Sequence, residues 1–395
     1  MDEALFSRVL INSRNLINEA VKYPHKRYLY NTLARVPEGF FCGVCGLRGI
    51  GKTVLLLQLA GKAQNPLYLS ADAHYLAGED LYELIRFCSE RGYKNLFIDE
   101  IHYKKEWKES LKTAYDEGLA RVFFSGSSAL EIRGGADLSR RALIYKLNPL
   151  SFREYLAIKK GMPHEAIPQA ELFDFQKRKE IIEKTSSTAA FFAEYCRLGG
   201  LLYPSSDEQF FYKAVESALD KTIRMDMAYL RGIEVATEQE LYKLIQRIAL
   251  SPPGEASYSS LASKVSLSKP SVISAIDCLV KIGVVLRVLP CGKAAARKEP
   301  KLYLAPPLRH FICSSLSVSP DAGSLREEFF VSHAEKTCYL KGKRGEKTPD
   351  FLFGGKKIEI GGSSKNFRQN PDFIFEEGIT FEERRIPLYL AGFLY

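Results

Sequence analysis

The sequence predicts an α/β protein in which a parallel sheet with helices on both faces is followed by helical segments and a small α/β domain. Three observations carry that expectation. The run Gly46-Leu47-Arg48-Gly49-Ile50-Gly51-Lys52-Thr53 fills the pattern G-x-x-x-x-G-K-[ST] between an apolar run and a helical one. From there to Ser128, short apolar runs alternate with helical stretches, the signature of parallel strands joined by crossover helices. Beyond Glu238 the pattern changes to short amphipathic helices, basic loops and paired strands.

The first strand is Phe40, Phe41, Cys42, Val44 and Cys45, and the helix leaving the loop is Val54 to Ala60. Glycines at such a loop let several backbone N–H groups crowd around a β-phosphate, and the helix N-terminus adds partial positive charge. Gly46, Gly49, Ile50, Gly51, Lys52, Thr53 and Val54 are therefore candidate nucleotide-binding residues. Lys52 would reach the β- and γ-phosphates, and the Thr53 hydroxyl would ligate Mg²⁺.

A metal-organising acid is expected at the end of a second buried strand. Lys94-Asn95-Leu96-Phe97-Ile98-Asp99-Glu100 supplies one. Asp99 would hold Mg²⁺ through its water shell, and Glu100 would orient and deprotonate an attacking water. A glutamate directly after that aspartate favours hydrolysis over phosphoryl transfer to a second substrate. Pro66 to Ser70 reads as another strand, Asp80 to Arg91 as a helix, and Arg121 to Ser125 as a strand ending in Gly126-Ser127-Ser128. Ser125 or Ser127 is the candidate polar contact to a γ-phosphate.

Composition sets the outer bounds. At 395 residues the chain suggests several domains, and 46% hydrophobic with 26% charged residues is a globular balance. The N-terminus MDEALFSRVL carries acids where a signal peptide needs bases, and no apolar stretch is long enough to span a bilayer, so a cytoplasmic location away from membranes is expected. Eight cysteines are scattered in mostly apolar contexts, which argues against a disulfide framework. Cys42 and Cys45 form a C-x-x-C inside the first strand and are expected to be core.

The segments GLRGIGKT, LFIDEIH, FFSGSSALEIRGGADLSRRALIYKLNPLSFREYL and YCRLGGLLYP together resemble the AAA+ type ATPases of bacteria and archaea that carry a C-terminal part of unassigned function. The resemblance spans nearly the whole chain, and its most particular stretch runs from Asp137 through Arg141 to Glu154. It implies ATP with Mg²⁺ as the cofactors and a P-loop NTPase sheet of AAA+/ASCE type. It also implies that Arg141 meets a γ-phosphate, in its own chain or in a neighbour within a homo-oligomer, with Arg140 beside it.

The C-terminal half reads in three parts. Phe173 to Asp226 is a helical connector broken by Gly199, Gly200 and Pro204. Leu241 to Leu250, Tyr258 to Val265 and Lys269 to Lys281 are successive helices, the third opened by Pro270 and ended by Gly283. Val284 to Leu289 and Lys301 to Leu304 follow as a wing, the order of a winged helix-turn-helix. Its third helix would present Lys269, Ser271, Ser274 and Asp277 outward. Between Ser251 and His310, nine Lys or Arg face three acids, which suits a phosphate backbone, although Asp277 fits a groove poorly. Double-stranded DNA and a protein are both candidate partners.

In the last segment, Asp350 precedes one strand and Glu359 lies on its hairpin partner, as in the PD-(D/E)-x-K nuclease core where two carboxylates hold Mg²⁺. The lysine position is Gly361. Lys365 lies four residues on and Glu327 or Glu328 upstream, and the reading preferred on sequence is a restriction-nuclease-like fold that has lost cleavage. The expected domains are a P-loop ATPase over 1–165, a connector over 166–235, a winged helix over 236–310 and a nuclease-like α/β domain over 311–395. The expected activity is ATP hydrolysis driving or switching a change passed to the C-terminal half. A nucleotide-gated DNA-binding regulator and an ATP-dependent nuclease are the alternatives.

Overall fold

The computed structural model describes residues 1–126, 138–203, 207–226, 237–253, 256–292, 299–342 and 347–395. The chain forms two compact units, one built on Met1–Asn148 and the other on Pro149–Arg224 with the chain from Arg231 onward.

The first unit opens with α1 (Glu3–Glu19), whose N-terminus is capped by the Asp2 carboxylate accepting from Leu5 N at 2.7 Å, and with the short α2 (Tyr30–Ala34). Strands and helices then alternate: β1 (Phe41–Cys45), α3 (Lys52–Ala60), β2 (Pro66–Ser70), α4 (Leu81–Glu90), β3 (Asn95–Asp99), α5 (Trp107–Asp116), β4 (Arg121–Gly126) and β5 (Ala142–Lys146). The strands lie in the order β2-β3-β4-β1-β5 with every pair parallel. Such a sheet is covered on both faces, which is why its strands are near-continuous apolar runs instead of alternating ones. All five residues of β1 are buried, Cys42 and Cys45 among them, as expected for core cysteines. Burial pushes the Cys42 thiol up to about 12, so it is chemically inert. The C-terminal ends of β1, β3 and β4 share one edge, where an open α/β sheet forms its binding crevice.

The second unit begins earlier than the sequence suggests. The helix α6 (Phe152–Lys160) is started by a capping box between Ser151 and Glu154, and Phe152 is fully buried against the rings of Phe192, Tyr195, Phe329, Tyr389 and Phe393. Residues 149–165, expected in the ATPase domain, therefore belong to the core of the second unit. Helices α7 (Gln169–Phe173), α8 (Phe175–Thr185), α9 (Phe192–Leu198) and α10 (Glu208–Lys221) follow. Next come α11 (Glu238–Leu250), α12 (Tyr258–Val265) and α13 (Lys269–Ile282), then an antiparallel pair, β6 (Val285–Val288) with β7 (Lys301–Leu304).

After α14 (Leu308–Ser315) and α15 (Ala322–His333) comes a five-stranded mixed sheet of β8 (Cys338–Tyr339), β9 (Phe351–Phe353), β10 (Lys356–Gly361), β11 (Phe373–Glu376) and β12 (Arg385–Pro387), ordered β12-β11-β10-β9-β8. The pairs β8/β9 and β9/β10 are antiparallel, and β10/β11 and β11/β12 parallel.

The boundary expected between 310 and 311 does not separate two cores. Val288 and Tyr303 of the β6/β7 pair lie in the same buried cluster as Phe330, Phe351 and Ile386. Glu328 on α15 accepts from Leu304 N and from Arg309 Nε, each at 2.8 Å, with both side chains almost fully buried. A Cys291–Cys338 disulfide adds a covalent tie between the segment after β6 and β8, so the cysteines are not all free.

His333 closes α15 inside the aromatic cluster, 1% exposed. Its Nδ1–H donates to Phe329 O (2.8 Å) and its Nε2 accepts from Phe152 N (3.1 Å), the neutral tautomer that both bonds require. Burial pushes its pKa from 6.5 down to about 4. As pH falls from 6.5 to 4, the unfolded chain binds a proton that the folded one refuses, so stability is present above that window and lost through it. About 3 kcal/mol should disappear between pH 7 and pH 4 in denaturant titrations, and His333→Gln should show a smaller loss.

Candidate functional site

The turn from β1 into α3 builds the first candidate site. Gly51 caps α3 in the left-handed conformation (φ 92°, ψ 25°), a geometry that suits glycine. A Cβ on Gly46 would strike the Leu147 carbonyl oxygen and come within 2.6 Å of Ile50 Cδ1. Lys52 is 5% exposed, and its ammonium donates to the carbonyls of Gly46 and Leu47 at 3.1 Å each. An ammonium has three donors, so two of these hold the loop and one is left for a phosphate. Gly49, Ile50, Thr53 and Val54 complete the turn and the first turn of α3, as the sequence predicts.

Thr53 and Asp99 meet although they are far apart in sequence: Thr53 Oγ1 donates to Asp99 Oδ2 at 2.6 Å. The same carboxylate oxygen accepts from Tyr68 OH at 3.0 Å, and Oδ1 accepts from Ser125 Oγ and from Glu100 N at 3.2 Å. Four elements thereby orient one carboxylate that is 3% exposed. Tyr68 is pushed far above the usual phenol range by burial and by the Asp99 charge, so it acts as a donor only.

Glu100, one residue on, has φ 50° and ψ 44°, an uncommon backbone for a residue with a side chain and one that turns its carboxylate away from the line of β3. Arg48 Nη1 from the glycine-rich loop lies 3.9 Å from its Oε1, and His102 Nδ1 lies 3.4 Å from its Oε2. The loop lysine, the hydroxyl of Thr53, the buried aspartate and the glutamate thus share the C-terminal edge of the sheet. This donor set fits a nucleotide with Mg²⁺: backbone N–H groups and Lys52 for phosphates, Thr53 and Asp99 for the cation, Glu100 for water.

Two candidates from the sequence are placed elsewhere. Arg141 immediately precedes β5, and its carbonyl accepts from Phe41 N at the start of β1, so it lies at the N-terminal edge of the parallel sheet. That is a strand's length from the loop, on the order of 15 Å at 3.3 Å per residue. Its guanidinium pairs with Asp116 at the end of α5 (Nε to Oδ1 2.7 Å, Nη2 to Oδ2 2.9 Å), and a role at its own chain's phosphates does not fit this geometry. Ser125 is fully buried and directed to Asp99. Ser127 lies outside the described residues.

Sequence reasoning missed Tyr68, Arg48, His102 and Arg27. The Arg27 guanidinium is buried and donates to the Ile50 carbonyl inside the loop and to Asn148 O at 2.8 Å. No local pattern marks it.

The second unit holds a separate polar cleft of about 910 Å³ between α15 and the β9/β10 hairpin. Phe351 pairs with Ile358, so the antiparallel register continued by one step sets Asp350 opposite Glu359. Asp350 Oδ2 accepts from Ile360 N at 2.8 Å. Glu359 pairs with Lys365 and, with the Gln369 amide nitrogen turned toward it, accepts from Gln369 at 2.8 Å. Glu327 on α15 accepts from Tyr303 OH (2.6 Å) and Lys301 Nζ (3.2 Å), both on β7. Among the described residues no three or more His, Cys, Asp and Glu are gathered to hold a metal, so a cation here would complete its shell from water and substrate.

Burial first, then the charges of Glu327 and Glu359, push Asp350 up from 3.8 to about 7. A carboxyl whose folded pKa is raised favours the folded state less as pH climbs through that window, because the unfolded chain ionises without that cost. Asp350→Asn should therefore raise the free energy of unfolding at pH 8, by on the order of 2 kcal/mol in denaturant titrations, and change it little at pH 4.

Comparison with known proteins places an AAA-type domain over the part of the chain that holds the first site. The family described as "AAA domain" matches residues 40–156, and a "Domain of unknown function (DUF8612)" matches residues 193–307. The "Uncharacterized protein MJ1637" of Methanocaldococcus jannaschii is 30% identical over 322 residues, 75% of this chain and 68% of that protein. A second protein of the same organism, "Uncharacterized protein MJ1544", is 25% identical over 345 residues, 80% of this chain and 73% of that protein. Among solved structures, the Walker-type ATPase PABY2304 of Pyrococcus abyssi is 14% identical, covering 73% of this chain and 98% of that one with a TM-score of 0.39. No described helix is long and apolar enough to cross a membrane. With its parallel sheet, its glycine-rich loop and a relative matched over most of both chains, this chain belongs to the family of MJ1637 and carries an AAA-type P-loop ATPase domain.

Proposed function

We propose that the protein binds ATP with Mg²⁺ and hydrolyses it, and that the change is passed to the C-terminal unit. The observation that carries this reading is the 2.6 Å contact between Thr53 Oγ1 and Asp99 Oδ2 beside Lys52 and Glu100. Metal-organising groups, phosphate-binding lysine and candidate base are assembled by one sheet edge.

Each residue has a defined task in this reading. Lys52 and the backbone N–H groups of the loop and α3 hold the β- and γ-phosphates. Thr53 and Asp99 would hold a Mg²⁺ ion, which when bound would supply charge neutralisation to the phosphates. Glu100 accepts the proton of the attacking water, with Arg48 and His102 beside its carboxylate. Tyr68 and Ser125 act on Asp99 and have no contact with the nucleotide assigned to them. Arg141 enters the reading only through a second copy of the chain, as a residue facing a neighbour's nucleotide in a homo-oligomer.

The segment from α11 to β7 supports a winged helix-turn-helix reading by element order, three helices and then an antiparallel pair. Its charge is more balanced than composition suggests. Lys269 pairs with Glu299 (2.6 Å), Arg287 with Asp277, Lys301 with Glu327 and Arg309 with Glu328. The third helix carries Lys269, Asp277 and Lys281 as its charged residues, and the first two are paired, so it offers a phosphate backbone little net charge.

In a phosphate-release assay, Lys52→Ala should lose ATP hydrolysis together with nucleotide binding. Glu100→Gln should keep ATP bound while turnover drops by roughly 100-fold or more. Normal turnover by Glu100→Gln would remove the base from this scheme. Tyr68→Phe should stay folded and lose about tenfold in rate, with its Mg²⁺ requirement shifted to higher concentration, as outer-sphere donors to metal-binding carboxylates do.

A further inference from the structure

The motif read from the sequence lacks its lysine because Gly361 stands there, two residues after Glu359. In a strand, residues two apart share a face, so a lysine at 361 would project beside Glu359. The space it would fill is occupied. A Cβ built on Gly361 falls into the side chain of Lys365, overlapping its Cγ and lying 2.9 Å from Cδ and Cε. Lys365 leaves the chain beyond β10, runs back over Gly361 and delivers its ammonium to Glu359. The loop thus returns a cation to the place that the strand has vacated.

The surroundings suit a charged polymer. Asp350 and Glu359 face one another across the hairpin, Glu327 approaches from α15, and the exposed cations Lys347 and Arg368 line the same cleft. Glu327 is held by Lys301 and Tyr303 of β7, so the β6/β7 segment and the cleft are one construction.

We propose that this cleft cleaves phosphodiesters of nucleic acid with a divalent cation, and that Lys365 is the catalytic residue that replaces the missing lysine at position 361. Asp350 and Glu359 hold the cation, whose remaining positions are filled by water and a phosphate oxygen, the usual manner for Mg²⁺. Water attacks phosphorus, forming one P–O bond as the bond to the leaving sugar oxygen breaks. The water loses one proton to solvent, the leaving oxygen takes one from solvent, and the products are a phosphate monoester and a hydroxyl. The Lys365 ammonium stabilises the charge that grows on the phosphoryl oxygens during this step. This activity stands apart from the ATP site and needs none of its residues.

The test is cleavage of supercoiled plasmid and of single-stranded DNA by the full chain with Mn²⁺ or Mg²⁺, with circular dichroism melting to show that each variant folds. The wild type should nick DNA with metal and not with EDTA, and Asp350→Asn should abolish cleavage. Lys365→Ala should cut roughly 100-fold more slowly. The double variant Gly361→Lys with Lys365→Ala returns the lysine to the strand and removes the chain that blocks it, so cleavage should recover to within about tenfold of wild type. ATP hydrolysis should be unchanged throughout, which separates failure here from failure of the ATPase reading. Absence of metal-dependent cleavage by the wild type overturns the proposal. So does wild-type cleavage by Lys365→Ala, or a folded double variant that cuts no better than Lys365→Ala, which would leave Lys365 as a neutraliser of Glu359 only.

Discussion

The first unit is organised around the carboxylate of Asp99. It accepts from Thr53 on α3, Tyr68 on β2, Ser125 on β4 and the backbone of Glu100, so four parts of a parallel sheet must be in register before it is satisfied. A buried carboxylate without those donors would be expensive, because desolvation of the charge would go uncompensated. The same bonds that make the aspartate tolerable in the core also fix its direction toward the P-loop. Structure and chemistry therefore impose one requirement on this position, and the neighbouring Glu100 inherits its placement from it.

The second unit is organised differently, by one helix. Residues 327 and 328 are adjacent on α15 and so point about 100° apart. Glu328 turns into the core, where it accepts from Leu304 N and Arg309; Glu327 turns to the cleft, where Tyr303 and Lys301 hold it. Five residues on, His333 of the same helix accepts from Phe152 N at the start of α6. The stretch Pro149 to Glu154, which ends the most particular segment of the family resemblance, is thus a structural keystone of the C-terminal unit. Its capping box and fully buried Phe152 explain those residue types without any catalytic duty.

What could be read from the sequence follows from the range of the interactions concerned. The glycine-rich loop, the paired acids at the end of β3 and the succession of helices before β6 are set by residues close together in the chain, so spacing and periodicity reveal them. Tyr68 and Arg27 are set by neighbours brought in by sheet order and chain packing, and nothing local marks them. The position of Arg141 is hidden from the sequence for a related reason. Motif order says that it follows β4, but only strand direction says that it lies at the opposite edge from the loop. The boundary at Asn148 was missed because helix periodicity is blind to which core a helix joins.

Gly361 shows the same limit in reverse. Read along the chain, a glycine in place of a lysine is the loss of a catalytic group. In three dimensions a glycine is also permission, since only the absence of a Cβ lets Lys365 lie across that point and reach Glu359. Any side chain at 361 would push the loop lysine away from the acids, so the glycine and the relocated lysine imply each other. Position in a motif and position in space are separate variables, and a polar cleft answers to the second.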